Sequence, residues 1–254
     1  MKTANLSAAV LVLLALVLVG ASAGRAETLD CTPITVLPAI ITVDDIYCLI
    51  DDLTTAVTQG YAIDIRTNNV VLDLNGHKLG GLSAGLATQT TGIHANNRRN
   101  ITIKNGTIRG FRIGISLEDA GNSEGHVVED IRADRNTLTG IEARGAGNLI
   151  RNNQVVATGG SAFGPNVSSF GMFIAGSGPR VLNNDVIETF KQGTGLAIGI
   201  QLQQTTGALA VNNRVTTADQ GIIFAGFGTG KYRDNLTFDV ATPYVGGTDA
   251  GNNN

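Results

Sequence analysis

Tryptophan is absent from this 254-residue chain, proline occurs five times and cysteine twice, and only 15% of residues are charged, against about 25% in an average globular protein. So low a charge excludes a coiled coil, and a hydrophobic share of 43% excludes a disordered tail. A basic excess is missing as well. Eighteen Lys and Arg face 21 Asp and Glu, a net charge of −3 that offers phosphate backbones no clustered cationic surface, so nucleic acid is not an expected partner. The lack of tryptophan removes the commonest platform for stacking neutral sugars. What the chain has in excess is glycine, 33 residues or about 13%. Glycine at that level, with little charge, suits short strands and tight turns.

Long apolar runs are scarce too. The one at the N-terminus, Leu6 to Val19, has 14 residues, short of the ~20 that cross a bilayer. Lys2 precedes it and Ala21-Ser22-Ala23 follows, the layout of a secretory signal over residues 1–23. Cleavage after Ala23 removes one Lys and no acid, leaving 17 basic and 21 acidic residues, a net charge of −4 and no transmembrane segment in the mature chain. The expected destination is secreted or periplasmic. Cys31 and Cys48, 17 positions apart, form an even pair in an exported chain and point to a disulfide contributing roughly 3 kcal/mol. Two buried thiols are the alternative; a metal site has too few ligands, since no His lies near.

Internal repetition carries the fold. A small residue followed by an apolar one recurs at Ala62-Ile63, Gly92-Ile93, Gly114-Ile115, Gly140-Ile141, Gly171-Met172, Gly199-Ile200 and Gly221-Ile222, at steps of 30, 22, 26, 31, 28 and 22. Each is trailed by an Asn or Asp at Asn75, Asn105, Asp130, Asn152, Asn183, Asn212 and Asp234, with separations of 12, 12, 15, 11, 11, 12 and 12. Between these landmarks lie short alternating runs split by Asn, Gly or charged turn residues, with no room for a helix. Strands this short can all pair if the chain winds as a coil, each lying parallel to its copy about 4.8 Å above. The expectation is a parallel β-helix with Ile63, Ile93, Ile115, Ile141, Met172, Ile200 and Ile222 stacked inside. The landmark residues fall at sharp turns, where Asn tolerates left-handed backbone and can bond its equivalent one coil away.

The run Val71-Leu72-Asp73-Leu74-Asn75-Gly76-His77-Lys78-Leu79-Gly80-Gly81, the ladder of Asn turns and the Cys-containing N-terminal segment together resemble the secreted right-handed parallel β-helix proteins of the pectate-lyase-like superfold. The resemblance spans roughly Leu29 to Asn254. It implies an all-β solenoid of about seven coils, ~34 Å of stacked strands. An N-terminal cap would occupy residues 24–60, with the helix and a C-terminal cap at 61–254. It implies no single activity, because that superfold hosts lyases, hydrolases, epimerases, adhesins and proteins with no known catalysis. Extended polysaccharides lie along the first sheet in the resembled families.

Surplus residues between landmarks fall at Leu82 to Thr91, Ala157 to Phe170, Phe190 to Ile198 and Asp119 to Gly125, all flanking the recurring strand. They are expected to wall a groove. Alternation then names its floor. One outward row runs Asp64, His94, Ser116, Glu142, Phe173, Gln201, Ile223, and the next Arg66, Asn96, Glu118, Arg144, Ala175, Gln203, Ala225. Both are polar in the N-terminal half and neutral toward the C-terminus. As catalytic candidates stand His94, Glu118, Glu142 and Arg144; as substrate-binding candidates Asp64, Arg66, Asn96, Gln201 and Gln203. Arg can fork a carboxylate, a carboxylate pair can hold Ca²⁺, and His or a carboxylate can move a proton. The competing reading is that these charges pair across strands and contribute little. His77, in the turn after Asn75, and His126, beside a loop-end Gly, are expected to be structural or solvated.

Family signatures of catalysis are missing. Asp-Asp occurs only at Asp44-Asp45 and Asp51-Asp52, Gly76-His77 is followed by Lys78, and neither Asp-Pro-His-Asp nor Arg-x-Pro-x-x-Arg occurs. Two functions remain: a protein that binds or processes an acidic polysaccharide as a lyase, epimerase or glycosidase, with or without Ca²⁺, or a non-catalytic envelope rod. Under the first, replacing Glu142 and Arg144 together abolishes binding or turnover of acidic polysaccharide; unchanged binding and turnover in an assay of the purified double variant would sink it.

Overall fold

The computed structural model describes residues 30–254, so the secretory signal expected at residues 1–23 lies outside the described residues. From Thr32 onward the chain forms short strands, every one paired in parallel with its copy in the next coil. Three sheets result. The first runs from Ala39–Ile41 through Tyr61–Ile65, Thr91–Asn96, Ile113–Glu118 and Thr139–Ala143, then through Ser169–Ser177 and Ala197–Thr206 into the last coils. The second carries Val70–Asp73, Leu149–Arg151, Arg180–Leu182, Ala208–Val211 and their neighbours, and the third carries Lys78–Gly80, Gln154–Gly159 and Asp185–Phe190.

Register confirms the column of isoleucines. Ile63 pairs Ile93, Ile93 pairs Ile115, Ile115 pairs Ile141, and the series continues through Met172 and Ile200 to Ile222. All seven are at most 1% exposed. Each such side chain contributes roughly 1.5–3 kcal/mol by leaving water. At two of the positions just before them the third sheet leaves no room for a side chain: a Cβ on Gly171 would lie 2.4 Å from Val186 Cγ1, and one on Gly199 2.4 Å from Val215 Cγ1.

Each landmark residue adopts the left-handed conformation, with φ between 51° and 58° at Asn75, Asn105, Asp130, Asn152, Asn183, Asn212 and Asp234. They mark the corner between the second and third sheets. Strand Ile101–Arg109 bends there at Asn105, and Val127–Asp134 at Asp130. Asn183 Nδ2 donates to Asn152 Oδ1 at 3.3 Å and Asn212 Nδ2 to Asn183 Oδ1 at 2.9 Å, the coil-to-coil bonds anticipated for this position.

A second ladder, which the sequence reading overlooked, is formed by the residue after each landmark. Asn153, Asn184, Asn213 and Asn235 are buried. Asn184 Nδ2 donates to Ile150 O at 2.9 Å and to Asn213 Oδ1 at 3.0 Å, while its own Oδ1 accepts from Asn153 N at 3.0 Å. Asn213 repeats the pattern toward Val181 and Asn235. The corner would otherwise strand backbone N–H and C=O groups inside the rod, because no strand continues through it.

About eight coils are wound where spacing suggested seven, because Thr32–Ile34, Ala39–Ile41, Ile46–Leu49 and Leu53–Thr54 already pair in parallel with the coil above. Ile34, Ile41 and Leu49 supply the inward residues there. Cys31 and Cys48 form the expected disulfide across this coil, Cα–Cα 5.9 Å. At the other end Tyr232 and Tyr244 stack at 5.0 Å and pack against the core.

The two asparagine ladders give opposite expectations. Asn184→Leu takes the side-chain partner from two buried groups, Ile150 O and Asn153 N, each costing about 1–3 kcal/mol, and is expected to lower stability by ~2 kcal/mol or more in urea unfolding. Asn183→Gly keeps the left-handed turn at an exposed corner, and a change below ~1 kcal/mol is expected. Equal losses from the two would show that the buried ladder has no special weight.

Candidate functional site

The outward row of the first sheet has the register that alternation gave it. Asp64 pairs His94, His94 pairs Ser116, Ser116 pairs Glu142, Glu142 pairs Phe173, and Phe173 pairs Gln201. The row is less open than anticipated, however: Asp64, His94 and Glu142 are each at most 7% exposed. One cover is Tyr61, whose ring lies flat on His94 with centroids 3.7 Å apart and planes 5° from parallel. Strict alternation from Ile63 would have turned Tyr61 inward. It faces out because Ala62 and Ile63 both belong to the core. Phe170, at the equivalent position, meets Phe173 edge-on at 5.4 Å.

His94 sits in a defined hydrogen-bonding frame. Its Nδ1 lies 2.8 Å from Asp64 Oδ1, and Arg66 Nε donates to Asp64 Oδ2 at 2.6 Å. Burial works to raise the Asp64 carboxyl, yet the bonds from His94 and Arg66 outweigh it and hold the group below the usual carboxylate range. An ionised carboxylate only accepts, so Nδ1 carries the hydrogen and Nε2 of a neutral ring is left as an acceptor. That nitrogen is buried and has no hydrogen-bond partner. Glu118 Oε1 stands 3.9 Å from it and accepts from Ser116 Oγ at 3.3 Å.

Asp64, Arg66, His94 and Asn96 line one cleft of about 430 Å³ together with Asn97, Arg98 and Ala120. Asn97, Arg98 and Ala120 were not among the sequence candidates, and only the sequence position of Ala120, inside the Asp119 to Gly125 insertion, hinted at it. Glu142 and Arg144 lie further along the sheet. His94 and Glu142 are separated by two strand spacings, about 10 Å. Arg144 Nε donates to Glu142 Oε1 at 2.5 Å and its guanidinium rests 4.7 Å above the Phe173 ring. Gln201 and Gln203 bond each other at 2.7 Å. The structure thus gathers Asp64, Arg66, His94, Asn96 and Glu118 around one point and leaves Glu142, Arg144, Gln201 and Gln203 on the floor beyond.

Walls stand on both flanks. Before the first sheet, the insertions bond to one another, Ala162 N to Leu86 O at 3.0 Å and Val167 N to Gln192 O at 3.0 Å. After it, Asp119 Oδ1 accepts Gly121 N at 2.6 Å and Ser123 N at 2.9 Å, while Asn122 N donates to Asn97 Oδ1 at 2.8 Å. His126 anchors this second wall, as the structural residue it was expected to be. Ile101 N donates to its Nδ1 at 3.2 Å, and its Nε2 hydrogen points to Ser123 Oγ at 2.7 Å. A larger cleft of about 680 Å³ beside Lys191, Asp219 and Asp239 has its charges already engaged: Lys191 pairs with Asp219 at 3.0 Å, and Asp239 takes the Thr217 hydroxyl at 3.1 Å. Among the described residues no three His, Cys, Asp or Glu converge as a metal centre would need, and no helix is long and apolar enough to cross a membrane.

A rod of parallel coils with one walled face defines the molecule as a parallel β-helix. Residues 91–253 match the family model of the right handed beta helix region, and the chain belongs to that family. Among solved structures, the crystal structure of the Dettilon tailspike protein aligns with 85% of this chain at 13% identity and a TM-score of 0.33; the chain spans 61% of that protein. No curated protein matches the chain.

Burial lowers the His126 pKa from 6.5 to about 4. The unfolded chain therefore binds a proton between those values that the native chain does not, so stability is complete above pH 6.5 and falls as pH drops toward 4. The loss attributable to this group is ~3 kcal/mol. His126→Asn keeps an acceptor for Ile101 N and is expected to remove that part of the slope in chemical unfolding between pH 7 and 4; an identical slope in the variant would assign it elsewhere.

Proposed function

We propose that the protein is exported and binds an extended acidic polysaccharide along the walled first sheet, processing it at His94. The observation that carries this reading is the buried His94 ring, fixed by Asp64 and stacked on Tyr61, with an unpartnered Nε2 at the cleft. A nitrogen so held is a proton acceptor with its tautomer already chosen. Glu118, close to Nε2 and more exposed, is placed to donate or receive the second proton. Arg66, Asn96, Gln201 and Gln203 offer hydrogen bonds along the floor, and the exposed Tyr61 ring partly replaces the missing tryptophan. The disulfide suits an oxidising compartment.

Surface charges elsewhere favour the same location. Arg151 pairs with Glu129 and Arg214 with Asp185 across neighbouring coils, so those faces have no free recognition group in these pairs. A non-catalytic rod would need only such pairing, and the unpartnered His94 nitrogen is what sets the cleft apart.

The test is a panel of acidic and neutral polysaccharides, with and without Ca²⁺, read for binding and for new reducing or unsaturated ends. The wild-type chain is expected to bind an acidic polymer and turn it over, and His94→Gln to lose about 10²–10⁴-fold in turnover with binding retained. Binding without turnover in the wild type would reduce the protein to a lectin-like rod, and absence of binding across the panel would refute the reading.

A further inference from the structure

The cleft holds a second unsatisfied group. Other cations of these coils face an acid: Arg66 meets Asp64 at 2.6 Å, Arg99 meets Glu124 at 3.5 Å and Lys104 meets Asp73 at 3.5 Å. Arg98 is different. Among the described residues it has no acid within 4.0 Å, and its Nε is buried with no hydrogen-bond acceptor. A charged donor left this way costs more than a neutral one. The cleft that Arg98 lines is the one lined by His94, whose Nε2 is also a buried atom without a partner. The residues that carry these two unpartnered atoms therefore line the same space.

We propose that Arg98 is a specificity-determining residue that receives the carboxylate of a uronate unit lodged beside His94. The inference rests on the saccharide reading above and adds which group of the sugar is recognised and by which residue. A guanidinium presents its N–H donors as a planar fork that matches a carboxylate, whereas an ammonium does not. Arg66 is spent on Asp64, through its Nε, and supplies the neighbouring positive charge. Asn96 and Asn97 line the same cleft but carry only neutral amide donors, whereas Arg98 brings a positive charge to the anion. Asp64 is hydrogen-bonded by His94 and its charge is offset by Arg66, which lessens its repulsion of an incoming acid.

Full-length mature wild type, Arg98→Gln and Arg98→Lys are titrated calorimetrically with an oligogalacturonate, its carboxyl-reduced neutral counterpart and a sulfated oligosaccharide. Thermal melts confirm that each variant is folded. Arg98→Gln is expected to weaken the oligogalacturonate about 10- to 100-fold and to leave the neutral oligomer unchanged, with Arg98→Lys recovering only part of the loss. Equal binding of acidic and neutral oligomers by the wild type, or no effect of Arg98→Gln, overturns the assignment while the saccharide reading stands. Tighter binding of the sulfated oligomer overturns the carboxylate. No binding of any oligomer by the wild type overturns the saccharide reading and Arg98 with it.

Discussion

Every coil of this protein hands its backbone hydrogen bonds to the next, and that one ladder imposes the rest. Because parallel strands stack about 4.8 Å apart in fixed register, a residue at one position of the coil is obliged to meet its counterpart above and below. Ile63 meets Ile93, Asn153 meets Asn184, and Asp64 meets His94 for the same geometric reason. Stability then grows by nearest-neighbour stacking, and the interior becomes a set of columns. Where the column is aliphatic it excludes water. Where it turns a corner, the buried asparagines answer the backbone groups that strand pairing leaves open.

Much of this geometry can be read in the chain because columns repeat. The isoleucine positions, the left-handed Asn and Asp corners and the membership of the outward rows all recur at nearly constant separation, and each is dictated by a local requirement. The buried ladder had a signal too. Asn152-Asn153, Asn183-Asn184, Asn212-Asn213 and Asp234-Asn235 are doublets in which one member turns the chain and the other serves the interior. The N-terminal coils lack the doublet: Asn75 and Asn105 precede Gly, and Asp130 precedes Ile131, whose N–H instead donates to Asn153 from above.

The less legible part is what breaks the period of two. Tyr61 faces outward because two successive residues turn in at the sheet edge, and no count of alternation finds that. Pairings such as Glu142 with Arg144 and Gln201 with Gln203 were within reach, being two residues apart on one strand, and they explain why those side chains stand apart from His94.

The corner excursions hang from the rod without entering its ladder. Residues 160–168 and 191–196 fasten chiefly to other excursions, while Phe170, Met172 and Ile198, Ile200 resume their places in the stack as though nothing had intervened. Length gained or lost at a corner is therefore invisible to the floor. A lineage of such chains is free to trade one rim for another, reshaping what can enter, while the histidine and its aspartate keep their alignment.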